Sequence, residues 1–178
     1  MNWDGPIDRV LAREGGGSDR AEDKGGATNL GITLATYSKW LGRQATKDEL
    51  RALQVPEARM VYLQFFVKDT NLDLIGSDAL KEALFDWMVN SGPVPPVRAL
   101  QRQLGLVTDG IIGQQTALAA NLKDGYRLAQ RICWDRVDFI ADWMRNDKRD
   151  ADRDGVPDSM ENAAGILKRI ANQGRGLT

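Results

Sequence analysis

Glu14, Asp23 and Thr28 are the residues whose types and spacing best suit chemistry. The aspartate follows the glutamate by nine residues and the hydroxyl follows five later, along Glu14-Gly15-Gly16-Gly17-Ser18-Asp19-Arg20-Ala21-Glu22-Asp23-Lys24-Gly25-Gly26-Ala27-Thr28. Cleavage of a glycosidic bond needs such a set. One carboxylic acid protonates the leaving oxygen, and an opposing group stabilises an oxocarbenium-like state or activates water. The glycines allow both groups to face one cleft without side-chain obstruction. Histidine is absent and Cys133 is the single cysteine, which excludes Ser-His-Asp and Cys-His triads, His-ligated zinc and an intrachain disulfide. Acid–base work therefore falls to carboxylates.

The segment resembles the catalytic stretch of glycoside hydrolase family 108, lysozyme-like muramidases found largely among phage endolysins. Glu14-Gly15-Gly16, Ser18, Asp23, Gly25-Gly26, Thr28 and Gly31-Ile32-Thr33 match that family's pattern in register. The Glu, Asp, Thr order is also similar to that of phage lysozymes, one residue shorter in its second gap. Gly17 stands where the family has an aromatic or aliphatic residue, Asp19-Arg20 replaces Asn-Asp, and Lys24 replaces proline. Downstream, Leu84-Phe85-Asp86-Trp87-Met88-Val89-Asn90-Ser91-Gly92-Pro93, Ala99-Leu100-Gln101 and Asp109-Gly110-Ile111-Ile112-Gly113-Gln114-Gln115-Thr116 resemble the family's companion peptidoglycan-binding segment.

This resemblance implies Glu14 as general acid, Asp23 as the group that positions water or stabilises positive charge, and Thr28 as a holder of that water. It implies Asn90, Gln101 and Asp109 as residues lining the glycan cleft. The implied reaction is hydrolysis of the β-1,4 bond between N-acetylmuramic acid and N-acetylglucosamine by an endolysin. Two other readings stay open. A lytic transglycosylase also uses a single glutamic acid but needs no water-positioning carboxylate, and a non-catalytic calcium-dependent module would bind peptidoglycan without cutting it.

Helices must position these residues. Ile7, Val10 and Leu11 recur with helical spacing and run into Arg13-Glu14. The glycine-rich stretch to Gly31 reads as a structured loop or small hairpin. Thr46-Lys47-Asp48-Glu49 is a capping box. A helix is predicted over Glu57 to Val67, with Ala58, Val61, Tyr62, Phe65 and Phe66 as its apolar face. Ser77 or Asp78 caps the next, whose buried stripe is Leu80, Leu84, Trp87 and Met88; Phe85 and Trp87 read as core rather than sugar platforms. Pro95-Pro96 opens another helix that stops at Gly105. After a Thr108-Asp109-Gly110 turn, helices are predicted over Gln114–Leu122 and Tyr126–Met144. The fold class is mostly α, an α+β lysozyme-like globule. The resemblance implies residues 1–146 as the muramidase domain, with 85–122 as its peptidoglycan-binding-like segment, and 147–178 are expected to form a C-terminal extension.

That extension carries a second motif. Residues 150–161 fit D-x-D-x-D-G-x5-E, the calcium loop of an EF-hand helix-loop-helix. Asp150, Asp152 and Asp154 converge on one Ca²⁺, Val156 offers its carbonyl, Asp158 ligates directly or through water, and Glu161 binds bidentately. Pro157 cannot donate the backbone bond that couples paired loops, and no second loop is present, so a solitary site is expected. The loop holds five acids and one base, so without metal its carboxylates repel. Calcium is expected to fix the last helix, with Lys168, Arg169 and Arg175 behind it.

The chain has 178 residues, 42% hydrophobic and 28% charged, enough for a sizeable core. Its formal charge of −1 disfavours a general nucleic-acid binder. No apolar run approaches the roughly 20 residues of a membrane helix, and residues 1–6 show no secretory pattern. A monomer made in the host cytoplasm and released to the cell wall through a holin lesion is expected. Cys133 lies in the apolar pattern of the last long helix and reads as a small buried hydrophobe.

Overall fold

Local capping chemistry sets most element boundaries in the computed structural model, which describes residues 1–14, 27–146, 167, 170 and 171. The chain divides into two compact units, Met1–Thr70 and Asn71–Thr178.

In the first unit, α1 (Asp4–Glu14) starts where Asn2 Oδ1 accepts the Asp4 amide at 2.9 Å. Its Ile7, Val10 and Leu11 are buried, as the i, i+3, i+4 spacing requires. A two-stranded antiparallel hairpin follows, β1 (Thr28–Asn29) and β2 (Ile32–Thr33). Both turn residues have positive φ, 51° at Leu30 and 74° at Gly31, as a two-residue type I′ turn demands. Thr33 then caps α2 (Leu34–Leu41), its Oγ1 accepting the Thr36 amide at 3.1 Å.

The expected capping box opens α3 (Lys47–Arg51): Thr46 Oγ1 accepts the Glu49 amide at 3.2 Å, and Glu49 Oε2 accepts the Thr46 amide at 2.8 Å. Arg43 bonds the same carboxylate at 2.6 Å, and these donors hold Glu49 down at about 2. Helix α4 (Val55–Tyr62) runs directly into a π-helical segment, Leu63–Lys68. The predicted helix over Glu57–Val67 is thus real but widens after Tyr62 to i→i+5 bonding, seen in the Asp69 amide donating to the Gln64 carbonyl at 2.9 Å.

The second unit is organised around α5 (Asp78–Ser91). Ser77 caps it, its Oγ accepting the Leu80 amide at 3.3 Å. Leu80, Leu84, Trp87 and Met88 are buried as expected, and so are Lys81, Ala83, Phe85 and Asp86, because α6 (Val94–Leu104) and α8 (Gly125–Asn146) both pack against this helix. Each fully buried Leu or Met contributes roughly 1.5–3 kcal/mol of transfer free energy. Gly105, at φ 70°, stops α6, and α7 (Gln114–Asn121) follows. Asp124 Oδ1 accepts the Tyr126 and Arg127 amides at 3.0 and 3.1 Å and so starts α8. Gly125 is needed there by proximity: a Cβ at this position would collide with the Ser77 side chain. No described helix is long and apolar enough to cross a membrane.

Candidate functional site

Glu14 is the last residue of α1, and Thr28 is the first residue of β1, half-buried and paired across the hairpin with Thr33. Asp23 lies outside the described residues. What positions the two ends of this segment is α4, whose successive turns grip three neighbours.

Arg59 pairs with Asp4 at 3.3 Å and also with Asp8, and so ties α4 to α1. Tyr62, 1% exposed, donates from Oη to the Leu30 carbonyl at 3.0 Å and holds the hairpin turn. Glu57 Oε1 accepts from Tyr37 Oη on α2 at 3.1 Å; burial first, and then this bond, push the Tyr37 phenol up. The hairpin has a further anchor in Asn29, whose Nδ2 donates to the carbonyls of Leu50, Arg51 and Leu53 at 2.9, 3.2 and 3.3 Å. The Leu50 and Arg51 carbonyls lie in the last turn of α3 and the Leu53 carbonyl just beyond it, where helix-end carbonyls need partners from outside the helix. At the hairpin base the Leu34 amide bonds the Ala27 carbonyl at 3.1 Å. The elements that bear Glu14 and Thr28 are therefore fixed to one helix. Arg59 had no signal in the sequence, and Tyr62 read only as part of an apolar face.

Gln101 and Asp109 are brought together, with Gln101 Nε2 donating to Asp109 Oδ1 at 2.6 Å. The Gln101 side chain is buried and occupied: it also donates to the Ile111 carbonyl at 3.0 Å and accepts the Gly110 amide at 2.9 Å. It braces the turn, where Gly110 has φ 85°. Asp109 is exposed, and the Gln101 amide together with the Ile111 amide hold its carboxyl below the usual carboxylate range. Asn90 is exposed at the end of α5, its Nδ2 donating back to the Asp86 carbonyl at 2.7 Å.

Phe85 and Trp87 are core, each 1% exposed. Burial raises the Cys133 thiol to about 11, which leaves it protonated at neutral pH. An ion pair went unseen in the sequence: Arg136 on α8 donates to Asp86 on α5 at 2.6 Å, with both residues buried. Arg136 Nη2 and Trp87 Nε1 have no partner among the described residues. The loop residues Asp150, Asp152, Asp154, Val156, Asp158 and Glu161 lie outside the described residues. Within the described ones no cluster of three acidic or thiol side chains could hold a metal ion.

Comparison with known proteins bears on this segment. Residues 7–92 match the family model of glycosyl hydrolase 108, a stretch that takes in Glu14, Asp23 and Thr28. No curated protein matches the chain. Among solved structures the chain is similar to Brucella abortus SagA, at 29% identity and a TM-score of 0.80, over 97% of this chain and 91% of that one. The likeness to SagA therefore continues well beyond residue 92.

Proposed function

We propose that this chain is a muramidase of the glycosyl hydrolase 108 family that hydrolyses the β-1,4 bond between N-acetylmuramic acid and N-acetylglucosamine in peptidoglycan. One observation carries the reading: the family match over residues 7–92 spans the full Glu14, Asp23, Thr28 set. Glu14 acts as the general acid that hands a proton to the glycosidic oxygen. Asp23 stabilises the oxocarbenium-like state or orients the attacking water, and Thr28 holds that water. The absence of histidine leaves the acid–base work to carboxyl groups and so supports a two-carboxylate division of labour.

Mass spectrometry of purified peptidoglycan after digestion tests this. The expected products carry new reducing N-acetylmuramic acid ends. Anhydro-muramyl ends would identify a lytic transglycosylase instead, and walls that bind the protein without glycan cleavage would leave a binding module.

The acidic loop supports a second proposal, a single structural Ca²⁺. Asp150, Asp152, Asp154, the Val156 carbonyl, Asp158 and Glu161 would hold it. They form an all-oxygen set of the hard ligands that this ion takes, with Gly155 where the loop must turn sharply. When bound, the ion would cancel the repulsion among five carboxylates and stabilise the fold by linkage.

A further inference from the structure

We infer that Tyr62 is a positioning residue for the reaction proposed above, with Arg59 as its counterpart one turn earlier on α4. The inference rests on that functional reading.

Glu14 and Thr28 sit at the two ends of one chain segment, and the element that bears each is secured to α4 by a different side chain. Arg59 takes α1 through Asp4 and Asp8, while Tyr62 takes the hairpin through the Leu30 carbonyl at 3.0 Å. The Leu30 backbone needs this. Its φ of 51° is a left-handed conformation that a leucine rarely adopts, and the residue sits two positions from Thr28. A strained backbone beside a functional residue persists only where its surroundings over-determine it. Tyr62 supplies that restraint from a rigid place: its ring is buried and stacks on Phe66 with centroids 5.7 Å apart. A phenylalanine would keep the ring packing and delete only the hydroxyl, so Tyr62→Phe tests what that hydroxyl holds.

Small misplacements of a catalytic group lower turnover more than they lower binding. Tyr62→Phe is expected to cut kcat about tenfold with KM within about twofold. Exchange of the Leu34 amide, which closes the hairpin base, is expected to speed up. Leu30→Gly added to Tyr62→Phe restores at least about threefold of the lost kcat, because glycine takes positive φ freely. Ser77→Ala, which removes the cap of α5, serves as a control that lowers Tm and keeps kcat. Wild-type kcat and exchange in Tyr62→Phe would overturn the inference, and so would a kcat loss matched by Ser77→Ala at equal folded fraction. A double variant no faster than Tyr62→Phe would overturn the role given to Leu30. If the wild-type protein cleaves no glycan, the muramidase reading fails by itself, and the Leu34 exchange rate still decides whether the hydroxyl fixes the hairpin.

Discussion

Removing the Asp86 carboxylate should unfold the second unit at much lower temperature. Asp86 and Arg136 meet at 2.6 Å, and Arg136 is only 2% exposed. At an effective dielectric of about 20, two charges at this distance attract by roughly 6 kcal/mol. Burying the two ions costs several kcal/mol each, so the intact pair is close to neutral overall. Asp86→Ala removes the attraction but leaves the Arg136 charge buried, at a net loss of about 3–5 kcal/mol. For a chain of this length each kcal/mol moves Tm by about 2–4 °C, so Tm falls by roughly 6–20 °C. The urea midpoint should fall in parallel with little change in slope. Asp86→Leu combined with Arg136→Met removes both charges and should recover most of the loss. The assay is urea and thermal unfolding of the three proteins. An Asp86→Ala protein within about 0.5 kcal/mol of wild type would refute the reasoning, as would a double variant less stable than the single one.

Other expectations follow from the same geometry. Gly125→Ala should lower Tm even though alanine favours helix, because overpacking against Ser77 costs about 1–3 kcal/mol and exceeds a propensity gain of roughly 1; a raised Tm would contradict this. Glu49 has its folded pKa depressed from 4.5 to about 2, so its contribution is present above the higher value and lost as pH falls to the lower. The Tm gap between wild type and Glu49→Gln should therefore be widest above pH 4.5 and close towards pH 2; a gap constant across that window would refute it. Chelation should lower Tm and the lytic rate together, with Asp152→Ala reproducing the effect without chelator; unchanged melting and lysis would remove the calcium proposal.

Most helices were legible because their signals are local. Thr46 and Glu49, Ser77, Pro95-Pro96 and Gly105 each act within one turn, so their effects can be read from neighbouring letters. The widening after Tyr62 was not, since an apolar face with helical spacing fits α and π ladders alike over so few residues. Leu30 was equally opaque: an Asn-Gly pair announces a type I′ turn, whereas leucine at positive φ is tolerated only through partners elsewhere in the chain. At the candidate site, Glu14, Asp23 and Thr28 were named by resemblance. The residues that hold their elements were hidden, because Arg59 reaches back to Asp4 and Tyr62 to Leu30; in the second unit Asp86 likewise finds Arg136 50 residues away. Gln101 carries the same lesson. The resemblance implied a glycan contact, while its amide closes a turn whose acceptors lie eight and ten residues along the chain.

The central claim is that the Glu14 carboxyl supplies the proton that releases the leaving sugar. Glu14→Gln keeps the size of the side chain and removes that proton. On purified cell walls its initial rate of reducing-end formation should fall by about 10²–10⁴ while it still co-sediments with the walls like wild type. A Glu14→Gln protein that cleaves within a few fold of the wild-type rate would contradict the account.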